Sequence, residues 1–131
     1  IRIPNEPFYL NIKLLLKNFS IYNLIKFVLL KILSKQSKII LKKNNISSND
    51  HFIGVLFSGN MSLYSMKTAL DKINNQKTND EKIIEILFHP GGARAGEEKY
   101  WGNRPDLKRF YFSRWRKIER KLLTNDFFEK N

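Results

Sequence analysis

The 131-residue sequence contains no cysteine and only two histidines, His51 and His89. The absence of cysteine excludes disulfide frameworks, thiolate zinc sites and cysteine nucleophiles, and it fits a reducing compartment, so we expect a cytoplasmic location. Neither histidine has a pair of carboxylates at a recognised ligand spacing. Because a catalytic zinc normally takes three protein ligands, we expect no metal site built from this chain alone.

Acidic residues are also scarce, since 12 Asp and Glu stand against 24 Lys and Arg and give a formal net charge of +12. No acidic residue occurs between Asn11 and Asn49. Anionic surfaces therefore attract this chain at low salt. The sequence opens on Ile1 rather than on methionine, without a signal-peptide pattern, so we expect the natural chain to be longer.

The pattern of apolar residues and turns predicts a single domain over residues 1–131 with an α/β fold. The expected elements, in order, are a β-prone stretch at residues 1–3, a helix at 21–43, a strand at 52–57, a helix at 63–74, a strand at 83–88, a loop at 93–105 and a helix that Ser113 caps. Strands alternating with helices favour a layer of parallel strands over a helical bundle.

The helix from Ile21 is predicted to be amphipathic. One stripe holds Ile21, Ile25, Val28, Leu29, Ile32, Leu33 and Ile39, and the other side holds Asn23, Lys31, Ser34, Lys35, Lys38 and Lys42. Such a lysine-rich helix could lie on an anionic membrane, with Leu24, Phe27 and Leu30 as inserting residues. Lys26 and Lys31 interrupt the apolar run, so it does not span a bilayer, and a solvated lysine face is the simpler interpretation.

His89 is the first candidate for chemistry, because it lies where a buried strand ends and a Pro-Gly-Gly turn begins. The carboxyl ends of parallel strands open into the site in α/β folds, and a histidine there can transfer a proton or bind a metal. The simpler alternative is a strand-end histidine that bonds a nearby carbonyl. Arg2 and Glu6 could hold substrate hydroxyls or each other, and their simpler alternative is a surface ion pair worth about 0–1 kcal/mol.

Basic and aromatic residues are concentrated near the carboxyl end. They are Tyr100, Trp101, Arg104, Lys108, Arg109, Phe110, Tyr111, Phe112, Arg114, Trp115 and Arg116. Such residues can stack on bases and neutralise phosphates. Aromatics beside a terminal helix more often pack against their own domain, and the signatures of common RNA modules are missing, so we do not expect nucleic acid as the main partner.

Four blocks of the sequence, in this order and spacing, resemble the carboxyl-terminal half of the YdjC-like (ChbG/HpnK) carbohydrate deacetylases. These blocks are residues 1–7 (IRIPNEP), 54–62 (GVLFSGNMS), 85–91 (EILFHPG) and 119–124 (ERKLLT). The hopanoid-associated branch is the nearest. The His-Pro-Gly strand end followed by Glu-x-x-Leu-x-Thr at residues 119–124 is the most specific part of the likeness.

The resemblance implies the carboxyl-terminal part of a (β/α)-barrel-like fold that hydrolyses the acetamide of an N-acetylated sugar or glycolipid. His89 matches the family's strand-end histidine, the expected proton donor or oxyanion stabiliser, and Arg2 and Glu6 match its polar strand-end positions, expected to bind substrate. The divalent metal, Mg²⁺ or Zn²⁺, would be held by an Asp-Asp pair and histidines of the family's amino-terminal half, which have no counterpart here. The fragment alone is therefore expected to be inactive.

Two alternatives stay open beside this interpretation. The first is a small basic protein that binds RNA or an anionic membrane surface instead of acting as an enzyme. The second concerns assembly, since the complete enzyme could be a homodimer or could contact a membrane peripherally. An upstream reading frame that encodes an Asp-Asp strand end and a later His-x-His would favour the enzyme.

Overall fold

The computed structural model describes residues 1–76, 81–92, 96–102 and 104–124. Its elements are α1 (Ile12–Asn18), α2 (Ile21–Lys43), β1 (His51–Ile53), α3 (Leu63–Asn74), β2 (Ile84–Ile86), a 3-10 helix (Glu97–Trp101), α4 (Pro105–Tyr111) and α5 (Arg114–Leu123). The chain divides into two compact units. The first unit is Ile1–Ser58 with Tyr64–Leu87, and the second unit is Gly59–Leu63 with Phe88–Asn131.

The first unit contains a parallel pair of strands. β1 and β2 run in the same direction, with His51 opposite Ile84 and Ile53 opposite Ile86, and α3 lies between them in the sequence. Parallel neighbours require a crossover of this kind, because the chain must return to the same end of the sheet. The prediction of a mixed α/β fold with parallel strands is confirmed at this level.

Both strands are shorter than predicted. For β1, the backbone conformation of the next residue explains why the strand ends early. Gly54 has a φ of +140°, a conformation that L side chains rarely adopt, and the chain leaves the strand there. An added Cβ at Gly54 would lie 2.8 Å from the Leu87 Cβ, so only glycine allows this close approach. The amides after Ile53 then bind a buried carboxylate instead of a neighbouring strand.

The β-prone stretch at the start of the chain forms no strand. A side-chain amide takes the place of a neighbouring strand, because Asn49 Oδ1 accepts a hydrogen bond from the Ile3 N–H at 2.6 Å and its Nδ2 donates to the Ile3 carbonyl at 2.9 Å. Asn49 is itself buried. The backbone of Ile3 is thus satisfied as it would be in a sheet, without a ladder.

The predicted bounds of α2 are confirmed, but its burial is the reverse of what an amphipathic stripe normally indicates. The residues that α2 buries are Asn23, Phe27 and Ser34. Leu24 and Leu30 are half-buried. The expectation of membrane insertion is wrong for Phe27, because its side chain is buried in the first unit, and it stays a prediction for the half-buried Leu24 and Leu30.

The core of the first unit forms around the sheet and α3. Its buried apolar residues are Ile3, Tyr9, Leu14, Phe27, Phe52, Ile53, Val55, Leu56, Phe57, Met66, Ala69 and Ile73. The side chains of Met66 and Ile73 on α3 both lie in this core. Burial of these side chains provides the main stabilisation of the unit, at roughly 1.5–3 kcal/mol for each large one.

The second unit contains the short helices of the carboxyl-terminal region. Ser113 caps α5 as predicted, since its side chain accepts a hydrogen bond from the Arg116 N–H. The expected loop of residues 93–105 contains the 3-10 helix, and α4 begins at Pro105, while residues 93–95 and 103 lie outside the described residues. Across the described parts of both units, no helix has the length and apolar character needed to cross a membrane.

Candidate functional site

Arg2 lies at the surface of the first unit and pairs with a strand residue. Its guanidinium contacts the Glu85 carboxylate of β2, and the Arg2 side chain is 62% exposed. The partner of Arg2 is thus Glu85 and not Glu6, the pairing that the sequence left open. The guanidinium has five N–H donors, so an exposed Arg2 side chain paired with one carboxylate can still offer donors to a ligand.

Glu6 occupies a different environment from the one that a substrate-binding residue needs. The residue is fully buried, and its carboxylate accepts hydrogen bonds from three successive backbone N–H groups. The donors are Gly54 at 2.8 Å, Val55 at 2.9 Å and Leu56 at 2.8 Å. Successive amides that point at one anion form a cradle, and here the anion is a side chain of the protein itself.

The Tyr9 hydroxyl completes this cluster by donating to Glu6 Oε1 at 2.9 Å. Burial raises the pKa of the Glu6 carboxyl, and the hydrogen bonds that it accepts lower this pKa in part. Burial and the nearby Glu6 carboxylate also raise the pKa of Tyr9, which therefore remains a neutral donor. With four donors on two oxygens, Glu6 fixes the turn after β1 and has no accessible surface for a ligand.

His89 lies in the second unit, beside a buried carboxylate. Its backbone N–H donates a hydrogen bond to Glu119 Oε2, and its Nδ1 lies 3.9 Å from the same oxygen. Among the described residues, Nδ1 is buried and finds no hydrogen-bond partner. The side chain as a whole is 31% exposed, so the accessible part is the remainder of the ring.

Glu119 is held from a second direction as well. Its Oε1 accepts a hydrogen bond from the Met61 N–H at 3.1 Å, and the residue is fully buried on α5. The carboxylate therefore links the Met61 segment, the backbone of His89 and α5 within the second unit. The fixed Glu119 carboxylate thus lies close to one nitrogen of the His89 imidazole, and the rest of the ring stays accessible, an arrangement that suits proton transfer.

The turn after His89 is fitted closely to α5. The Gly91 N–H donates to the Arg116 carbonyl, and an added Cβ at Gly91 would lie 2.8 Å from the Arg116 side chain. Arg116 is buried, and its guanidinium carbon lies 3.6 Å from the centroid of the Phe110 ring. The glycine thus lets the His89 turn approach the helix that carries Glu119.

Part of the basic and aromatic cluster is engaged within the second unit. Arg116 stacks on Phe110 and lies 5.6 Å from the Tyr111 ring centroid, and Arg104 pairs with Asp106 at 3.2 Å. Phe110 and Tyr100 remain exposed. The contact of Arg116 with Phe110 is a cation–π interaction within the second unit, and the expectation about nucleic acid stays a prediction.

Sequence reasoning did not single out Glu119 as a site residue, although one signal was present. Glu119 is the only acidic residue in α5, whose sequence is RWRKIERKLL. An isolated acid among bases on a surface helix is usually solvated, but one on the buried side needs a partner. That requirement is met by backbone donors, which side-chain patterns do not reveal.

The residues present do not fit the divalent metal that the resemblance implies. Within residues 1–76, 81–92, 96–102 and 104–124, no three His, Asp or Glu side chains form a group that could hold a metal ion. We therefore derive no chemical step through a metal bound to these residues.

This chain matches no family model, no curated protein and no solved structure in the comparisons with known proteins. The resemblance to the YdjC-like deacetylases stays a prediction, and the function proposed below depends on the geometry of His89 and Glu119 in the second unit.

Proposed function

We propose that this chain carries the proton-transfer pair of a carbohydrate N-deacetylase, which hydrolyses the acetamide of an N-acetylated sugar or glycolipid. His89 is the proposed catalytic residue, and Glu119 is the positioning residue that orients its ring. The observation that supports this assignment is the partly exposed imidazole of His89 with its buried Nδ1 at 3.9 Å from Glu119.

Amide hydrolysis requires a proton at one particular atom. Water adds to the carbonyl carbon, the C–N bond breaks, and the departing nitrogen must gain a proton to leave as an amine. In this proposal His89 supplies that proton from the accessible side of its ring, beside the buried Glu119 carboxylate. General acid catalysis of this kind contributes roughly 10²–10⁴-fold to a rate.

The other candidate residues have separate roles in this proposal. Arg2 is the proposed substrate-orienting residue, because its side chain is 62% exposed and its guanidinium carries several donors suited to sugar hydroxyls. Glu6 acts indirectly, by fixing the turn at Gly54–Leu56. The divalent metal, Mg²⁺ or Zn²⁺, is assigned to ligands on polypeptide outside this chain, as the resemblance implies.

We also propose that β1, α3 and β2 belong to a (β/α)-barrel-like sheet. The support is the repeating element of such barrels, in which a helix joins two parallel strands. In barrels of this type the site lies at the carboxyl ends of the strands, and His89 follows β2 by three residues.

The test is turnover by a longer protein, expressed with the upstream reading frame that we expect to encode the Asp-Asp pair. Release of acetate from N-acetylated sugars is measured for this protein and for its His89→Ala variant. We expect the variant to lose about a hundredfold or more in kcat, with metal content and KM nearly unchanged. His51→Gln serves as the matched control, since His51 lies on β1 and has no part in the proposed chemistry.

Two results would contradict the proposal. Unaltered turnover in His89→Ala would remove His89 from the mechanism. The absence of an Asp-Asp pair and a His-x-His in the upstream frame would remove the deacetylase assignment itself.

A further inference from the structure

α2 carries a row of apolar side chains on the side that points away from the rest of the first unit, and the exposed Gln36 interrupts this row between Leu33 and Ile39. We call this side the outer face, and it consists of Ile21, Tyr22, Ile25, Val28, Leu29, Ile32, Leu33, Ile39 and Ile40. Each of these residues is between 49% and 70% exposed. Scattered exposed apolar residues are normal in proteins, but a row along one helix indicates a surface that binds something.

The lysines of α2 fall into two groups with different surroundings. Lys31 and Lys38 attach the helix to the first unit, because Lys31 Nζ donates to the Glu6 carbonyl at 2.8 Å and Lys38 Nζ donates to the Asp50 carbonyl at 3.0 Å. Lys35, Lys42 and Lys43 are exposed. The first group thus holds the helix in an orientation that leaves the outer face uncovered within the unit.

The second group of lysines borders the outer face. With a turn of about 100° per residue, Lys35 and Lys42 follow one border of the apolar row, and Lys26 lies on the other. Lys26 Nζ is 4.4 Å from the centroid of the Tyr22 ring, which belongs to the outer face. The outer face is therefore an apolar strip between positive charges.

We propose that the outer face of α2 docks on the surface of an anionic lipid bilayer, with the helix axis in the membrane plane. Helices that bind in this way insert an apolar face at the boundary of headgroups and acyl chains, with lysines at the level of the anionic headgroups. No acidic residue between Asn11 and Asn49 opposes the attraction. Tyr22 supplies the amphipathic aromatic ring that is typical of this boundary.

The positive charge of α2 argues against a second copy of the chain as the partner that covers the outer face. Two outer faces in contact would each contribute a border of lysines, and α2 contains no acidic residue to neutralise them. Like charges across an interface are unfavourable. An anionic partner has the complementary charge, and a lipid surface requires no shape-matched pocket from a helix about 35 Å long.

The apolar surface also extends from the outer face of α2 into a neighbouring groove. Leu33 and Ile40 line a groove of about 350 Å³ between α2 and residues 1–4. Leu30, Leu41 and Ile3 line the same groove. The outer face and this groove give the first unit a broad apolar surface rather than a single exposed row.

Sedimentation with lipid vesicles tests the proposal on the chain as it stands. We expect the protein to bind vesicles of equal parts phosphatidylcholine and phosphatidylserine, and to bind vesicles of phosphatidylcholine alone at least about tenfold more weakly. Binding should weaken as sodium chloride is added, because salt screens the lysine charges. Failure to bind the anionic vesicles at low salt would overturn the proposal.

Paired variants locate the binding surface. The double variant Ile25→Gln with Ile32→Gln should bind anionic vesicles about tenfold or more weakly, whereas the control Ile46→Gln with Ile83→Gln should bind as the parent does. Glutamine has a helix propensity at least as good as that of isoleucine, so α2 should persist, which circular dichroism checks. Equal loss in both double variants would overturn the assignment to the outer face.

Two double variants at lysines and a tryptophan introduced as a fluorescent reporter complete the experiment. Lys35→Gln with Lys42→Gln should weaken binding about tenfold, unlike Lys72→Gln with Lys121→Gln. A Leu29→Trp variant should gain emission that brominated lipid quenches, whereas Ile83→Trp should not. Absence of quenching in Leu29→Trp, or a stable dimer that leaves vesicles unbound, would overturn the proposal, and neither readout depends on deacetylase activity.

Discussion

Two buried carboxylates act as connectors of distant chain segments, each within its own unit. Glu6 binds the three amides after β1 in the first unit, and Glu119 binds the amides of Met61 and His89 in the second unit. Hydrogen bonds from backbone N–H groups to an ionised acceptor are stronger than neutral ones, and water does not compete with them at these buried positions. Both residues therefore contribute to the shape of the loops that follow the strands.

The prediction at Glu6 concerns stability. Glu6→Gln replaces one acceptor oxygen by an NH₂ group that faces N–H donors, so two buried donors lose their partner. We expect the free energy of unfolding to fall by about 3 kcal/mol. Denaturant titration measures this difference.

Glu81→Gln is the control for this substitution, because Glu81 is exposed. A change in an exposed charge of this kind is normally within about 0.5 kcal/mol. A Glu6→Gln variant that unfolds at the same denaturant concentration as Glu81→Gln would contradict the role assigned to the Glu6 carboxylate.

At the scale of elements, the end of β1 shows how one residue can limit a strand. The apolar run of residues 52–57 suits a longer strand, but β1 ends at Ile53 because the next residue adopts a positive φ. The N–H of Leu87 still donates to the Ile53 carbonyl at 2.8 Å, so pairing persists up to this point. Beyond it, the Glu6 carboxylate takes the amides that a longer strand would have used.

Gly54→Ala is predicted to be strongly destabilising. The new Cβ would lie 2.8 Å from the Leu87 Cβ and 2.9 Å from its carbonyl oxygen, in a backbone conformation already strained for alanine. We expect a loss of about 3 kcal/mol or more in the free energy of unfolding. Thermal unfolding monitored by circular dichroism provides the measurement.

Gly59→Ala separates the steric contribution from the conformational one. Gly59 also has a positive φ, of +76°, but no atom lies within 4 Å of the position that an added Cβ would take. We expect this variant to lose only about 1 kcal/mol, the cost of the left-handed conformation. Equal losses in the two variants would show that contact with Leu87 contributes nothing.

α2 shows which features of a helix the spacing of apolar residues predicts and which it does not. Its bounds agree with the prediction because the helix is continuous from Ile21 to Lys43 and a polar turn follows it. The side it buries, with Asn23, Phe27 and Ser34, is not the apolar stripe. Lys31 and Lys38 bind backbone carbonyls of the first unit, and these contacts lie between residues too distant in sequence for a local pattern to reveal.

At the scale of the whole molecule, positively charged residues act on one titratable group, the imidazole of His51. His51 on β1 is partly buried, and burial lowers its pKa from the ordinary value of 6.5. Positive charges on Lys38 and Lys82 lower this pKa further, and Asp50 opposes them. Burial and the nearby lysines together lower the pKa of His51 and so make protonation of this histidine harder in the folded chain.

The folded chain should therefore lose stability in mildly acidic solution. With the His51 pKa lowered by folding, the unfolded chain binds this proton more readily, so the stabilisation is complete above pH 6.5 and is lost as the pH falls through the lowered pKa. His51→Gln should show a weaker loss of stability below pH 6.5 than the parent. Denaturant midpoints measured across this pH range test the difference, and parallel pH profiles would contradict it.

The sequence by itself determined the local elements: the bounds of α2 and α3, the capped start of α5 and the parallel α/β character, because propensity, capping and spacing act between near neighbours. The single domain over residues 1–131 and the deacetylase barrel stay predictions. Only the tertiary structure decided that Glu6 is buried under Gly54–Leu56, that Glu119 lies beside His89, and that α2 leaves its apolar side exposed. The reason is physical, since each of these facts depends on contacts between segments far apart in the chain, whose free energy no local pattern contains.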